Sequence, residues 1–347
     1  MFEEYQIQIL NQKDAKSLGE VRDFLNRFDL SFDEIVEYTI NVRLDGKLVG
    51  TGSFLGEILR NIAVDETLQG AGLTATILSQ LMQEQARRGR HHYFIFTKPN
   101  KSYLFEGLGF SEIARAEPYV ALLEMGIGSV AAYCDSITKA TAHLTGNRTA
   151  IVVNCNPFTK GHQALIRQAA VENEAVIVFV VSEDRSLFPF VDRFKLVQEG
   201  VAELSNVVVV PAGTYMVSAA TFPTYFTRDA DQATAQARLD CTLFATKIAP
   251  RLGIKARYIG EEPYCPITNA YNEAMLAIFP QYGIEVKVIK RVQAEGEIIS
   301  ASKVRDMIRQ DDWEGIKKFV PENTYHYLCL DKTKEILMKI HNSNSRH

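Results

Sequence analysis

The sequence predicts an α/β protein of two domains, in which a smaller α+β domain is followed by a doubly wound parallel sheet. The chain has 347 residues, and about 150 residues per domain is a common size. Between residues 151 and 289, short apolar runs alternate with helical segments, which favours a parallel sheet with helices on both faces. Earlier in the chain, a hairpin signal stands among several further strand candidates.

The first domain is predicted from alternating apolar and polar residues. Asp45-Gly46 separates two such runs, which predicts a β-hairpin. The segment after Gly72 has the apolar spacing of an amphipathic helix, and a second, short helix ends in glycine within residues 104–110. Strands are predicted at residues 40–44, 47–54, 59–64, 93–97 and 119–124.

The second domain is predicted to begin near Arg148, where the first of its buried-type strands starts. The expected organisation is therefore a domain over residues 1–125, a connecting segment over 126–147 that could be helical, and a domain over 148–347. Strands are predicted at residues 151–153, 176–182, 207–210, 256–260 and 284–289, and helices at residues 163–171, 193–204, 234–252 and 271–279.

The composition argues against several classes of protein. A net charge of −4 disfavours a nucleic-acid binder. The five cysteines lack CxxC spacing, which indicates reduced thiols in a cytoplasmic protein. The N-terminus is acidic, unlike a signal peptide, and the longest apolar runs are far shorter than the roughly 20 residues of a membrane helix. We therefore expect a cytoplasmic protein with neither a nucleic-acid nor a membrane partner.

The first chemical motif runs from Asn154 to His162 and reads NCNPFTKGH. It follows an apolar strand and opens a helix, so several backbone N–H groups and the helix dipole meet at one point, which suits phosphate. Gly161 would allow a ligand to approach the backbone, Lys160 adds charge, and His162 can donate to a phosphate oxygen. The alternative is an ordinary strand–helix connection in which the histidine caps the helix.

The second motif covers residues 299–305 and reads ISASKVR. Ser300 or Ser302 is predicted to cap the following helix. Two hydroxyls, Lys303 and Arg305 at one helix N-terminus would form a second anion site. The alternative is a well-capped surface helix with solvated cations.

Together, the patterns Thr159-x-Gly-His162 and Ile299-Ser-x-Ser-x-x-Arg305 resemble the signature of the nucleotidyltransferase superfamily. The resemblance implies a Rossmann-like sheet with ATP bound at the carboxyl ends of the strands. Two positions depart from the pattern. Thr159 stands where many members have a histidine, and Asn156 stands where many have an aspartate, which could alter metal or substrate contacts.

Further segments narrow the resemblance to the citrate lyase ligases, and the likeness covers nearly the whole chain. These segments are residues 181–189, 220–226, 258–263, 268–272 and 321–325. The resemblance implies an acid–thiol ligase that uses ATP, with Mg²⁺ not held by a dedicated protein cage, to convert acetate into acetyl-adenylate and pyrophosphate. The acetyl group would then pass to the thiol of the coenzyme-A-like prosthetic group on the citrate lyase acyl-carrier subunit, which activates citrate lyase.

The resemblance also assigns roles to residues. Acetate is already ionised at neutral pH, so adenylylation requires alignment and charge stabilisation rather than a general base. We expect the phosphates to be held at the first motif and the β- and γ-phosphates to be gripped by the second. The expected catalytic residues are His162, Thr159, Lys160 and Arg305, and the expected nucleotide-binding residues are Asn154, Asn156, Gly161, Ser300, Ser302, Lys303, Asp184 and Glu261.

Three of the residues outside the motifs have alternative interpretations. Asp184 would support metal or ribose, or be a surface-loop carboxylate. Glu261 would line the adenosine or acetate pocket, or end a strand. Arg193 resembles a helix arginine that contacts substrate in the superfamily, and a solvent-exposed ion pair is the alternative.

Residues 1–125 resemble the GNAT acetyltransferases, whose fold is a mixed sheet with helices. The likeness includes the turn from Gln69 to Gly72, where the family's amides hold a coenzyme A pyrophosphate. Thr74 replaces a small residue of that pattern, and Phe105 stands where the family has a proton-donating tyrosine. We therefore expect a domain that binds the prosthetic arm or is purely structural, rather than an active acetyltransferase.

Two other functions are compatible with the motifs. One is a cofactor-type adenylyltransferase, of the pantetheine-phosphate or nicotinamide-mononucleotide class, with a fused acetyltransferase-like domain. The other is a non-catalytic ATP sensor, which the presence of both phosphate motifs disfavours.

Overall fold

A computed structural model describes residues 5–32, 35–182, 186–216, 232–261, 266–294 and 296–342. The chain forms two compact units. The first contains Met1–Val130 with Thr221–Leu239, and the second contains Ala131–Ala220 with Asp240–His347.

The first unit is built on a seven-stranded sheet. Its strands are β1 (Gln6–Ile9), β2 (Tyr38–Leu44), β3 (Lys47–Leu55), β4 (Ile58–Val64), β5 (His92–Thr97), β6 (Ser111–Ala116) and β7 (Val120–Gly126), in the spatial order β1-β2-β3-β4-β5-β7-β6. Neighbouring strands are antiparallel except for the parallel pair β4 and β5. The expected mixed sheet is therefore confirmed. The helices before β7 are α1 (Ala15–Asn26), α2 (Leu73–Arg87) and α3 (Ser102–Glu106).

The predicted hairpin and the long helix of this unit are confirmed. Asp45 and Gly46 both have positive φ angles, 51° and 78°, as the tight turn between β2 and β3 requires. The helix α2 buries its predicted apolar face against the sheet. Gly52 permits this close packing, since a Cβ there would lie within 2.4 Å of Ile77 Cγ2.

The second unit contains the predicted parallel sheet. Its strands are β8 (Arg148–Val153), β9 (Ala175–Val180), β10 (Val207–Pro211), β11 (Ile254–Gly260) and β12 (Glu285–Ile289), in the order β10-β9-β8-β11-β12. All four neighbouring pairs are parallel. A short hairpin of β13 (Gln293–Ala294) and β14 (Glu297–Ile298) follows β12.

The remaining helices between β8 and β12 alternate with the strands as predicted, and the others precede β8 or follow β14. They are α4 (Val130–Ala140), α5 (Lys160–Glu172), α6 (Phe190–Gly200), α7 (Gln232–Leu243), α8 (Ala249–Leu252), α9 (Pro266–Ile278), α10 (Ala301–Arg309), α11 (Trp313–Phe319), α12 (Glu322–Leu328) and α13 (Lys334–Asn342). A π-helical turn, Phe244–Ile248, joins α7 to α8. The predicted starts of α5, α6 and α9 were wrong. Thr159 caps α5 and Pro189 caps α6, so each begins about three residues earlier than expected, and α9 begins at Pro266, about five residues earlier.

The core of the parallel sheet positions both motifs. One face of the sheet, including Ile151 and Val178, packs against apolar residues of α5, α6 and α10–α13. The chain leaves β8 toward β9 on one side and leaves β11 toward β12 on the other. Because these two connections run in opposite directions, a crevice opens between β8 and β11 at their carboxyl ends. The first motif leaves β8 at this crevice.

Candidate functional site at the carboxyl edge of the parallel sheet

The loop after β8 has a constrained backbone. Cys155 has a positive φ of 55° and is buried, and the bond from Asn156 to Pro157 is cis. Burial raises the pKa of the Cys155 thiol well above its ordinary value. The thiol therefore stays protonated and acts as a small packed group rather than a nucleophile.

Thr159 and His162 cap helix α5 reciprocally. The Thr159 hydroxyl accepts from the His162 backbone N–H at 3.4 Å, and His162 Nδ1 lies 3.1 Å from the Thr159 backbone nitrogen. Because a backbone N–H can only donate, Nδ1 must accept, and the neutral imidazole carries its proton on Nε2. Burial, together with the charge of Arg291, lowers the pKa of His162 to about 4. At neutral pH, His162 therefore caps the helix with one ring nitrogen and offers an N–H donor with the other.

Gly161 brings the two motifs into contact. A Cβ at this position would lie 3.1 Å from the carbonyl oxygen of Ile299 and 3.5 Å from its Cγ2. The sequence predicted that Gly161 makes room for a ligand, but the close neighbour in the structure is the backbone of the second motif. The absent side chain therefore sets the distance between the motifs.

Arg305 of the second motif is hydrogen-bonded to the backbone of the first motif. It is 5% exposed, so the interpretation of a solvated cation is wrong for this residue. Its guanidinium donates to the carbonyl oxygen of Asn156, whose side-chain oxygen in turn accepts from the backbone N–H of Phe188 at 3.2 Å. Burial and the nearby Arg309 lower the pKa of Arg305. The second motif therefore holds the first through a buried charged donor.

The serines of the second motif lie at the start of α10. Ser300 is the N-cap, with its hydroxyl accepting from the backbone N–H of Lys303 at 3.2 Å. The exposed Ser302 hydroxyl lies 3.2 Å from that of Ser300. The Lys303 ammonium contacts Glu297 at 3.1 Å.

Lys160, at the first turn of α5, reaches toward α11. Its ammonium donates to the backbone carbonyl of Lys317 at 3.2 Å. This oxygen lies in the last turn of α11, where a positive charge interacts favourably with the helix dipole.

Arg193 is fully buried, so the interpretation of a solvent-exposed ion pair is wrong. Its Nε donates to the carbonyl of Phe188 at 2.9 Å. Its NH1 group lies within 2.9 Å of the carbonyl oxygens of Asn154 and Val181 and of the side-chain oxygen of Asn154. It thus connects the ends of β8 and β9.

Two further residues lie where β11 and β12 end. Glu261 is exposed, and its carbonyl oxygen accepts from Arg291 Nε at 2.6 Å. Arg291 was not predicted as a site residue, although its charge acts on His162. Two adjacent cations, Lys290 and Arg291, directly after a strand could have indicated it. Asp184 lies outside the described residues.

The arrangement offers hydrogen-bond donors rather than metal ligands. The residues of the loop and the two helix starts carry an imidazole N–H, hydroxyls, amide groups and cationic side chains, which are groups that bind phosphate oxygens. In the part of the chain that the structure describes, no group of three or more His, Cys, Asp or Glu could hold a metal ion. A parallel sheet whose two motifs meet at its carboxyl edge defines a doubly wound α/β domain, a class in which ligands bind outside the carboxyl ends of the strands.

Comparison with known proteins identifies the family to which the chain belongs. Residues 148–328 match a family model described as the citrate lyase ligase C-terminal domain. The chain is 36% identical over 328 residues to the citrate (pro-3S)-lyase ligase of Klebsiella pneumoniae, covering 93% of this chain and 95% of that protein. It is 34% identical over 325 residues to the enzyme of the same name from Escherichia coli K12, covering 92% of each. The chain belongs to the citrate lyase ligase family.

Solved structures resemble the N-terminal third. The ribosomal-protein-S18-alanine N-acetyltransferase of Escherichia coli is 21% identical, with a TM-score of 0.31, covering 36% of this chain and 96% of that structure. An acetyltransferase from Streptococcus agalactiae is 12% identical, with a TM-score of 0.33, covering 36% and 100% respectively. Of the helices that the structure describes, none is long and apolar enough to cross a membrane.

Proposed function

We propose that this chain is an ATP-dependent ligase that converts acetate into acetyl-adenylate and transfers the acetyl group to the prosthetic-group thiol of the citrate lyase acyl-carrier subunit. The observation that supports this most is the union of the two motifs: Gly161 contacts Ile299, and Arg305 donates to Asn156. Membership in the citrate lyase ligase family supports the reaction and the carrier partner. The catalytic domain is residues 148–347, and the protein works in the cytoplasm.

In the first step, an acetate oxygen attacks the α-phosphorus of ATP and the bond to the bridging oxygen of pyrophosphate breaks. His162 donates from Nε2 to the phosphates, assisted by Lys160 and the backbone N–H groups at the start of α5. Ser302 and Lys303 take the β- and γ-phosphates at α10. Arg305 acts from beneath the loop, where it keeps the donors aligned. Donors fixed in this way stabilise developing charge without reorganising.

In the second step, the carrier thiol loses its proton to solvent and attacks the acetyl carbonyl, so that a thioester forms and the bond from the carbonyl carbon to AMP breaks. Among the described residues, no group of three or more His, Cys, Asp or Glu could hold a metal ion. A Mg²⁺ ion that accompanies ATP would supply further charge neutralisation at the phosphates. Asp184 and Glu261 remain proposed contacts of the nucleotide.

Isotope exchange between ATP and pyrophosphate tests the reaction. We expect exchange that requires acetate, and AMP formation that rises further with the thiol form of the carrier subunit. Exchange driven instead by phosphopantetheine or nicotinamide mononucleotide would assign the chain to the cofactor adenylyltransferases. ATP binding without any exchange would indicate a sensor.

A matched pair of histidine variants tests the site. His162→Ala removes the Nε2 donor and should lower acetate-dependent pyrophosphate release by about 10²-fold, the usual cost of one preorganised transition-state donor. His326→Ala is the control, because the side chain of His326 is 72% exposed and its ring lies 3.8 Å from the carboxylate of Glu322, which is 87% exposed. Equal losses in both variants would refute the role of His162.

The first unit is proposed to bind the coenzyme-A-like arm or to serve a structural role. Gly72, with a φ of 81°, caps α2 as a phosphate-binding turn would, whereas Phe105 is buried and cannot transfer a proton. Calorimetric titration of the full chain with coenzyme A separates the two roles. Saturable heat favours arm binding, and its absence favours the structural role.

A further inference from the structure

Arg193 stands out among the cations of the second unit because none of its surface is exposed. Its neighbours are mainly carbonyl oxygens: Nε donates to Phe188 at 2.9 Å, and NH1 lies 2.8 Å from both Asn154 O and Val181 O. A buried guanidinium is costly unless its N–H groups are bonded, so these contacts fix its position.

The same NH1 group fixes the orientation of the Asn154 side chain in the loop after β8. It lies 2.9 Å from the side-chain oxygen of Asn154, and Ser186 Oγ lies 3.2 Å from that oxygen. A guanidinium can only donate, so the atom facing it must be the amide oxygen, and the NH2 group points the other way. Asn154 is exposed, and both hydrogen bonds of its side chain to Arg193 and Ser186 involve the amide oxygen. The pair of N–H donors therefore points away from Arg193 at the carboxyl end of β8.

We propose that Arg193 is a positioning residue, which holds the side-chain amide of Asn154 with its N–H groups toward the reacting acetate carboxylate and α-phosphate. This inference rests on the proposed function for the identity of the anions. Arg193 itself touches no substrate, because it lies beneath the loop. Two reacting anions repel each other, and a fixed neutral amide can donate one N–H to each without changing its own charge.

A double-mutant cycle tests the relay. Asn154→Ala should lower kcat for acetate-dependent pyrophosphate release by about 10-fold to 100-fold, as expected for donors to charged groups. Arg193→Lys should lower kcat by a similar factor with the KM for ATP within about twofold of wild type, since an ammonium lacks the planar fork. In the Asn154→Ala background, Arg193→Lys should have less than about a twofold further effect on kcat.

A purely structural role for Arg193 gives a different pattern. The kcat losses of Asn154→Ala and Arg193→Lys would then multiply in the double variant. Arg193→Lys would also lower thermal stability and raise the KM for ATP in both backgrounds. This pattern would overturn the proposal. Arg167→Lys is the control, because its side chain is 52% exposed and pairs with the half-exposed Glu203. It should leave kcat unchanged in both backgrounds.

Asn154→Asp keeps the test sharp if Arg193→Lys fails to fold. Aspartate retains an oxygen for Arg193 and Ser186, but it replaces the outward N–H groups by an anion that repels both reactants. We expect the variant to fold and to lose at least as much kcat as Asn154→Ala. Wild-type kcat in Asn154→Asp would overturn the proposal.

A measurement independent of turnover separates this inference from the proposed function. If wild type shows no acetate-dependent exchange, the proposed function fails, and the orientation is read from the side-chain amide resonances of chain labelled with ¹⁵N-asparagine. The Asn154 pair is assigned by its loss in Asn154→Asp. Arg193→Lys should shift this pair, and Arg167→Lys should not. An unshifted pair in Arg193→Lys would overturn the inference.

Discussion

Gly161→Ala probes the contact that joins the two motifs. The substitution adds a single methyl group at the second residue of α5. Its Cβ would lie 3.1 Å from the carbonyl oxygen of Ile299, so that this neighbour must move by a few tenths of an ångström. Because Ile299 immediately precedes the Ser300 cap, the movement separates the second motif from the first.

The effects on stability and on activity should differ. Alanine is favoured over glycine in a helix by about 0.8–1.0 kcal/mol, whereas overpacking a tight contact costs typically about 1–3 kcal/mol. The free energy of unfolding should therefore fall by only about 0–2 kcal/mol. Turnover is more sensitive, since a misplacement of about 1 Å can cost 10²-fold. A shift of a few tenths of an ångström should then reduce kcat by about tenfold.

The assay compares urea unfolding with acetate-dependent pyrophosphate release for Gly161→Ala and for the control Gly19→Ala. Gly19 also lies within a helix, α1, but a Cβ there meets nothing within 4 Å. The control should gain about 0.5–1 kcal/mol and keep wild-type turnover. Wild-type turnover in Gly161→Ala would refute the reasoning, because the spacing of the motifs would then not govern the reaction.

Three further predictions concern single side chains. His162 has a folded-state pKa of about 4, below its ordinary 6.5. The unfolded state therefore binds more protons between these two pH values, so the free energy of unfolding falls as the pH drops through this window. His162→Gln should make the free energy of unfolding less dependent on pH there, as measured by urea titrations at several pH values. Arg305→Met strips the buried Asn156 carbonyl of its donor and should cost about 1–3 kcal/mol in urea unfolding; an unchanged midpoint would contradict the bracing role. Lys160→Met loses only an exposed contact with Lys317, so its stability should change by less than about 0.5 kcal/mol, and unchanged pyrophosphate release would rule out a phosphate role.

The parallel sheet was predictable because its strands are short, β-branched and buried, as in β9, where every residue is buried. The same reasoning missed β1, whose four residues are all exposed at a sheet edge, and so carry no burial pattern. It also missed α1, which buries only Val21, Phe24 and Leu25 of its twelve residues.

The candidate site likewise has features that the sequence could predict and features that it could not. The placement of the motif residues at a strand end and at helix starts was predictable because they are contiguous in sequence and flank a strand and a helix. The burial of Arg193 was not, since its acceptors are carbonyl oxygens at the ends of β8 and β9 and near the start of α6. Backbone acceptors have no sequence signature, and an arginine that binds them is indistinguishable by pattern from one on the surface. The effect of Arg291 on His162 depends on how the fold places the residue after β12 relative to the start of α5, which local sequence does not encode.

Asn156 stands where many nucleotidyltransferases have aspartate, and in this chain its side chain has a structural role. It is 6% exposed, and its side-chain oxygen accepts from the backbone N–H of Phe188, a bond that a carboxylate could also make. Asn156→Asp should therefore fold within about 1 kcal/mol of wild type, while its new negative charge in the loop proposed to bind the phosphates should raise the KM for ATP. Kinetics over a range of Mg²⁺ concentrations check this. If the position instead binds metal, Asn156→Asp should lower the Mg²⁺ requirement, and the structural role argued for Asn156 would be wrong.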